Sequence, residues 1–369
     1  MKLTRIAPLG VLALAGALVL AGCASNETAA DGGSSTAPSG DSTAKLSGTI
    51  NGIGSSAQGT AQQTWIAGLQ TANPSLNINY DPQGSGAGRK SFISGAADFA
   101  GSDAALKDSE LAGTFALCVD GTKAIDLPVY ISPIAIAYNV EGLNDLKLDA
   151  ATIAGIFSGK ITKWNDAKIA ALNAGAALPD AAITVVRRSD DSGTTQNFTE
   201  YLAANAKDVW TEPSGQTFPY QIGDAAKGTS GVAEATKNAK NSITYIDESG
   251  SAGLSIAQLK VGDAFVKLSA EGAAAVVADS PLVSGRAEND LAVNINRTDT
   301  QANAWPLVLV SYIVACQQYQ DAAKGALVSN YIQYLASASA QQAAAQQAGS
   351  APLSAELSAK VIAAAKSIK

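Results

Sequence analysis

The chain has 369 residues, no histidine, three cysteines and a formal net charge of −7. The missing histidine removes Ser-His-Asp and Cys-His catalysis and any His-ligated metal site. The acidic balance lacks the basic footprint of a nucleic-acid-binding protein; no nucleic-acid partner, no metal and no cofactor is expected.

Met1 to Ala21 has a short basic end, Lys2 and Arg5, followed by an apolar core from Ile6 to Leu20. That core is short for a transmembrane span and reads as a secretory signal. It runs into Leu20-Ala21-Gly22-Cys23, which is similar to the lipobox of bacterial lipoproteins. Residues 1–22 are therefore expected to be a lipoprotein signal, with lipid on Cys23 anchoring the protein to the outer side of the cell membrane. An ordinary signal peptide with an incidental cysteine is the alternative. Residues 23–44 are rich in Ser, Ala, Gly and Thr and lack large apolar residues, so they are expected to form a flexible tether. Removing the signal removes two cations and no acid, so the mature charge is −7 − 2 = −9. An acidic protein that binds an anion must use local dipoles and a few placed cations. In an exported protein Cys118 and Cys316 are expected to pair, two separate buried thiols being the alternative.

The rest alternates strand and helix, with room for two lobes. Leu46, Gly48 and Ile50 alternate as a first strand, and Asn51 to Ser56 is a Gly/Ser loop that opens a helix from about Gly59 to Ala72. Leu76 to Tyr80 is a second strand, running into the small-residue loop Gln83 to Gly88 and another helix. Asp98 to Asp103 is a short strand that ends in a carboxylate. Leu127 to Tyr138, broken by Pro128 and Pro133, reads as a crossover between lobes, and Trp305 to Val314 as a second. Two short helices flank Trp164, which reads as a packed aromatic. Gly228 opens a helix to about Ala239, Ser242 to Asp247 is a strand, and two amphipathic helices finish the chain around a helical Ala/Gln-rich stretch from Ala338 to Gln347.

The chain is organised around Val185 to Phe198, VVRRSDDSGTTQNF. A buried strand breaks at Arg187-Arg188, and a helix restarts near Thr194. Ser192-Gly193-Thr194 places hydroxyls and free N–H groups at that helix N-terminus, an arrangement suited to an anion. Arg188 adds a planar fork of donors. Asp190 and Asp191 are placed to hold the guanidinium. The plainer reading is a strand-to-helix connection whose Ser and Asp only cap the helix.

VVRRSDDSGTT, the run DFAGSDAAL from Asp98 to Leu106, SGKITKWND from Ser158 to Asp166, and the Trp305-Pro306 crossover together resemble the substrate-binding lipoproteins of bacterial phosphate ABC importers. The resemblance spans Leu46 to Ile368. It implies an α/β, two-lobed periplasmic-binding-protein-like fold of type II, with mixed sheets flanked by helices and the ligand cleft between lobes. The expected lobes are residues 45–132 plus 306–369, and 133–305. It further implies a monomer that binds inorganic phosphate and delivers it to a membrane permease, with no catalysis. Carried over position by position, the binding residues are Ser56, the backbone at Ala57, Ser85, Asp103, Arg188, Ser192, Gly193 and Thr194, with Asp190 supporting Arg188. The chain departs from the pattern at Ser56-Ala57, where many relatives have Thr-Phe, and at Gly86, where many have a second Ser.

Asp103 among so many donors fits an acceptor for the one proton left on phosphate. The competing plain reading is a cap for a helix beginning near Ala104. The expected Cys118–Cys316 bond would sit in the N-terminal lobe near the hinge. A phosphatase using Ser192 or Ser85, or a binding protein for sulfate, molybdate or a phosphonate, are the alternatives.

Overall fold

The computed structural model describes residues 45–369; the expected signal peptide, Cys23 and the tether lie outside the described residues. β1 (Gly48–Gly54) leads into α1 (Gly59–Ala72), β2 (Leu76–Asp81) into α2 (Ser85–Ile93), and β3 (Phe99–Ser102) into the one-turn α3 (Asp108–Leu111). The long β4 (Ala124–Asn139) precedes β5 (Lys147–Leu148), α4 (Ala150–Phe157) and α5 (Ala167–Leu172). Next come β6 (Thr184–Arg188), α6 (Gly193–Asn205), β7 (Asp224–Ala226), α7 (Gly228–Asn238) and β8 (Ser242–Asp247). A small region holds β9 (Ser255–Ile256), β10 (Gln258–Val261), β11 (Ala264–Val266) and α8 (Ala270–Ala278). β12 (Val308–Cys316) returns to the main sheet, and α9 (Ala322–Leu335), α10 (Ala338–Ala348) and α11 (Ala355–Lys366) close the chain.

The main sheet has the order β2-β1-β3-β12-β4-β8-β6-β7, with β9 on β4. Pairs within each outer part are parallel, whereas β12 runs antiparallel to both β3 and β4, and β4 antiparallel to β8. The sheet is therefore mixed, as expected. Its centre is β4, buried along all but its last residue. Residues from Ala124 to Pro133 pair with β12, and those from Ile134 to Asn139 pair with β8. The two prolines of β4 sit where a missing N–H costs least. Pro133 falls at the change of partner. Pro128 falls at a register shift, where Ser311 opposes Tyr130 but Tyr312 opposes Pro128. The skipped residue, Val129, makes a β-bulge in the middle of the ladder.

Three buried tryptophans fix the layers around the sheet, each giving its indole N–H to a carbonyl. Trp65 donates to Ala340 O (2.8 Å), Trp164 to Asn241 O (3.1 Å) and Trp305 to Ile134 O (3.1 Å). The last bond clamps the second crossover onto the first where β4 changes partner.

Cys118 and Cys316 are bonded, with Cα atoms 5.3 Å apart and a sequence separation of 198. The expectation that the bond lies near the hinge is corrected. Cys316 pairs with Ala124, at the end of the ladder remote from the Val308–Pro133 pair. Eight residues of strand separate the two points, roughly 26 Å at strand rise. The bond instead ties the loop before β4 to the start of the chain's helical end. Residues 286–297 bridge both halves: Arg286 Nη2 donates to Leu106 O (2.6 Å), Leu291 N to Asp126 O (2.9 Å) and Arg297 Nη1 to Val308 O (2.6 Å), while Arg297 Nη2 also donates to Glu200 Oε2 (2.9 Å).

Candidate functional site

The carboxyl ends of β1, β3 and β6 point toward one place, where open α/β sheets bind ligands. The Arg187-Arg188 pair does not break β6, which runs through Arg188 before the turn. Ser192 then caps α6, its hydroxyl accepting from Thr195 N (3.2 Å). Among the described residues, nothing accepts from the backbone N–H of Gly193 or Thr194. Both donors stand at the positive end of the helix dipole. Gly193 lies against Asp103 and Ser85: an added Cβ would come within 2.6 Å of Asp103 Cβ and of Ser85 Oγ. Only the absence of a side chain lets α6 approach this closely.

Asp103 is at the centre, 3 % exposed. Its Oδ1 accepts from Ser311 Oγ (2.6 Å); its Oδ2 accepts from Ser85 Oγ (3.3 Å) and Thr194 Oγ1 (3.4 Å). Asn197 Nδ2 binds its backbone carbonyl (2.7 Å). Asp103 does not cap a helix, because α3 begins only at Asp108. Burial pushes its carboxyl above the usual range, while the hydroxyls of Ser311, Ser55 and Ser85 and the charge of Arg188 pull it back.

Arg188 is 4 % exposed and forks onto Asp190, Nε to Oδ1 at 2.8 Å and Nη2 to Oδ2 at 2.5 Å. Asp190 also accepts from Gly228 N (3.1 Å), so one carboxylate holds the guanidinium and the start of α7. Burial raises the Asp190 carboxyl, but the bond to Arg188 and its charge win and hold it below the usual range. Asp191, expected to share this task, does not touch Arg188. It pairs with Lys90 Nζ (3.0 Å) and accepts from Thr217 Oγ1 (2.8 Å).

The first loop is arranged differently from its two-residue assignment. Ser56 Oγ lies 3.1 Å from Thr229 Oγ1 and accepts from Thr229 N (3.0 Å), tying the loop to the start of α7. The Ala57 N–H is given to Ser55 Oγ (3.1 Å). The fully buried Ser55, unmarked in the sequence reading, is the loop serine that supports Asp103. Ser311 was missed as well; its only signal was one hydroxyl inside the apolar run of β12. Gly86 also gains a reason: its N–H donates to Asp191 O (3.1 Å), and a Cβ there would come within 2.5 Å of Asp191 Cβ.

Groups on either side of the β4 partner change thus meet directly. Lys90 reaches Asp191, Arg89 Nη2 reaches Gln216 Oε1 (3.2 Å), and Lys227 Nζ bonds Gln83 Oε1. A cavity of about 410 Å³ at one mouth is lined by Ser56, Gln83, Lys227 and Thr229. Another of about 510 Å³ is lined by Asp103 itself together with Asn197, Arg286, Arg297 and Tyr312. What the arrangement offers chemically is a buried cluster rich in donors, with one carboxylate acceptor and one fixed guanidinium.

A model of the PBP superfamily domain matches residues 39–339. Phosphate-binding protein PstS 3 of Mycobacterium leprae is 37% identical over 341 residues, covering 90% of this chain and 91% of that protein. The chain belongs to the phosphate-binding protein family. Phosphate-binding protein PstS2 of Mycobacterium bovis, another member, is 34% identical over the full length of both chains. Among solved structures, a high-affinity periplasmic phosphate-binding protein with bound phosphate superposes with a TM-score of 0.69 at 24% identity, covering 86% of this chain and 93% of that one. A phosphate-binding protein from Stenotrophomonas maltophilia gives 0.67 at 21%, covering 86% and 94%. These likenesses show the two-lobed, type II binding-protein fold. As a family member the protein is an extracytoplasmic binding protein and not an enzyme.

Proposed function

We propose that this phosphate-binding protein holds inorganic phosphate in the chamber around Asp103 and presents it to the membrane permease of a phosphate ABC importer. The observation that carries the placement is the meeting of opposite chemistries at one point. Unpartnered N–H groups of Gly193 and Thr194, the hydroxyls of Ser85 and Thr194 and the Arg188 guanidinium converge on a space that also contains the Asp103 carboxylate. Near neutral pH phosphate is chiefly a dianion that keeps one proton. Its oxygens accept from the donors, and its proton needs an acceptor, which Asp103 supplies. Ser192 acts through α6 by capping it, and Asp190 acts through Arg188. Ser56 contributes by latching the first loop to α7, and the Ala57 N–H braces the loop on Ser55.

The lobes are residues 45–132 plus 306–369, and 133–305, which the partner change between Pro133 and Ile134 supports. The crossovers β4 and Trp305–Val308 form the hinge, and closing it buries the ion. The mature protein acts as a monomer, tethered to the membrane through lipid on Cys23. Calorimetry of the purified protein against phosphate, sulfate, arsenate and a phosphonate tests the ligand assignment. Phosphate is expected to bind far more tightly than sulfate. Equal affinity for the two would overturn the proton-accepting chamber. A phosphoester hydrolysed above background would contradict a purely binding role. Metabolic labelling with a radioactive fatty acid tests the anchor: wild type takes up label and Cys23→Ala does not.

A further inference from the structure

Behind Asp103 runs a line of polar side chains sunk in the apolar core. Tyr331 Oη donates to Gln62 Oε1 (2.5 Å), and Gln62 Nε2 donates to Gln58 Oε1 (2.7 Å). Gln58 Nε2 lies 2.6 Å from Ser311 Oγ, which lies 2.6 Å from Asp103 Oδ1. Gln58, Gln62, Ser311 and Tyr331 are each 0 % exposed, so bulk water does not compete for these bonds.

Chemistry fixes the direction of the last two steps. Gln58 Nε2 also faces the backbone carbonyl of Tyr312 at 3.0 Å. A carbonyl oxygen only accepts, so that end of the amide must be the NH₂ group. Ser311 Oγ therefore receives a hydrogen from Gln58. Its own single proton is left for Asp103 Oδ1. The fold places Ser311 for this purpose. The β12–β3 register pairs Tyr312 with Ser102, and one step further puts Ser311 opposite Asp103. The β-bulge opposite Ser311 and Tyr312 has its extra residue, Val129, on β4, and the β12–β3 register that aims Ser311 is regular.

We propose that Gln58 and Ser311 form a one-way hydrogen-bond relay that holds Asp103 as a pure acceptor toward the cleft, making Ser311 a positioning residue for the choice of protonated over unprotonated oxyanions. The proposal rests on the reading that Asp103 faces the proton of phosphate. Oδ1 is filled by a donor that cannot turn around, so a proton on that oxygen would meet another hydrogen. The neutral acid, the form able to donate to a fully deprotonated anion, is thereby disfavoured. Without Ser311's hydroxyl, Oδ1 is open to a proton, and the acid can turn its O–H toward sulfate.

The test is calorimetric competition of sulfate against phosphate with the full chain, in wild type, Ser311→Ala, Ser311→Thr and Asp103→Asn. Losing one charge-assisted bond predicts a fall of roughly tenfold in discrimination for Ser311→Ala. The pH below which sulfate binding sets in should also move upward in that variant. Ser311→Thr, which keeps the hydroxyl, should recover most of the wild-type ratio. An unchanged ratio and onset in Ser311→Ala, with discrimination collapsed in Asp103→Asn, would overturn the relay and leave the phosphate reading standing. An unchanged ratio in Asp103→Asn would remove both. Should Ser311→Ala fail to fold, Gln58→Leu leaves the serine hydroxyl in place but free to rotate. A loss of about threefold is expected there, and no loss overturns the relay.

Discussion

Arg188 and Asp190 share a two-pronged bond, at 2.8 and 2.5 Å, although only one residue separates them in the chain. The pairing needs the strand to run through Arg188 and the chain to turn immediately afterwards. It presets the plane of the guanidinium before any ligand arrives. Lysine at 188 keeps the charge but can neither fork onto Asp190 nor offer a flat pair of donors. Arg188→Lys is expected to weaken phosphate binding by at least about 2 kcal/mol, or roughly 30-fold. Calorimetry reads this directly, and an affinity within twofold of wild type would place Arg188 outside the site.

The Cys118–Cys316 bond closes a loop of 198 residues. In the chain-entropy account such a loop makes the bond worth about 3 to 5 kcal/mol. Ser at both positions should lower the urea midpoint accordingly while leaving phosphate affinity close to wild type, because the bond lies at the end of β12 remote from the change of partner. Thiol titration of the unfolded, unreduced protein carrying Cys23→Ser is expected to find no free thiol. Two free thiols would rule the bond out.

Short-range structure was legible because its causes are short-range. A strand, a Gly/Ser turn and a helix start occupy adjacent residues, so the units at Asn51–Ser56, Gln83–Gly88 and Ser189–Thr194 could be read from local sequence alone. What stayed hidden was long-range or turned on one residue of register. Ser311 lies 208 residues from Asp103, and nothing in an apolar strand marks which hydroxyl will face a carboxylate. Ser55 and Ser56 are neighbours, yet one supports Asp103 and the other bonds Thr229. Asp191 follows Asp190 but turns outward to Lys90, because successive residues of a turn point in different directions. The β10–β11 hairpin is hard to read because its strands are only four and three residues long, too short for the alternation in β10 to stand out.

Asp247, at the end of β8, is 1 % exposed, and burial pushes its carboxyl up to about 7 despite hydrogen bonds from Ser249. The native state thus holds a proton that the unfolded chain gives up near the ordinary value of 3.8. Its stabilising contribution is complete below that ordinary value and is lost as pH rises toward 7. The melting temperature of wild type should therefore fall as pH rises across that window. Asp247→Asn keeps an acceptor for Tyr130 and Ser249 without titrating, and should flatten that part of the curve. The same slope in both proteins would mean that Asp247 is ionised in the fold.

Asp103 should govern selectivity more than affinity. An ionised carboxylate only accepts hydrogen bonds. Toward phosphate it meets the remaining proton. Toward sulfate, which carries none near neutral pH, it meets a lone pair and a second negative charge in a closed, poorly screened chamber. Sites that leave buried polar groups unpaired discriminate by roughly ten-thousand-fold. Asp103→Asn changes this in a direction the surroundings dictate. Ser311 has a proton to give at Oδ1, so the amide oxygen will turn to Ser311 and the NH₂ group will turn to the cleft. Sulfate then finds a donor where it found a charge, while phosphate loses its acceptor but also loses a repulsion. Phosphate affinity should shift modestly, and the phosphate-to-sulfate ratio should fall by at least about a hundredfold. Competition of the two anions in wild type and variant measures that ratio. If it is unchanged, the carboxylate plays no part in reading the proton on the ligand.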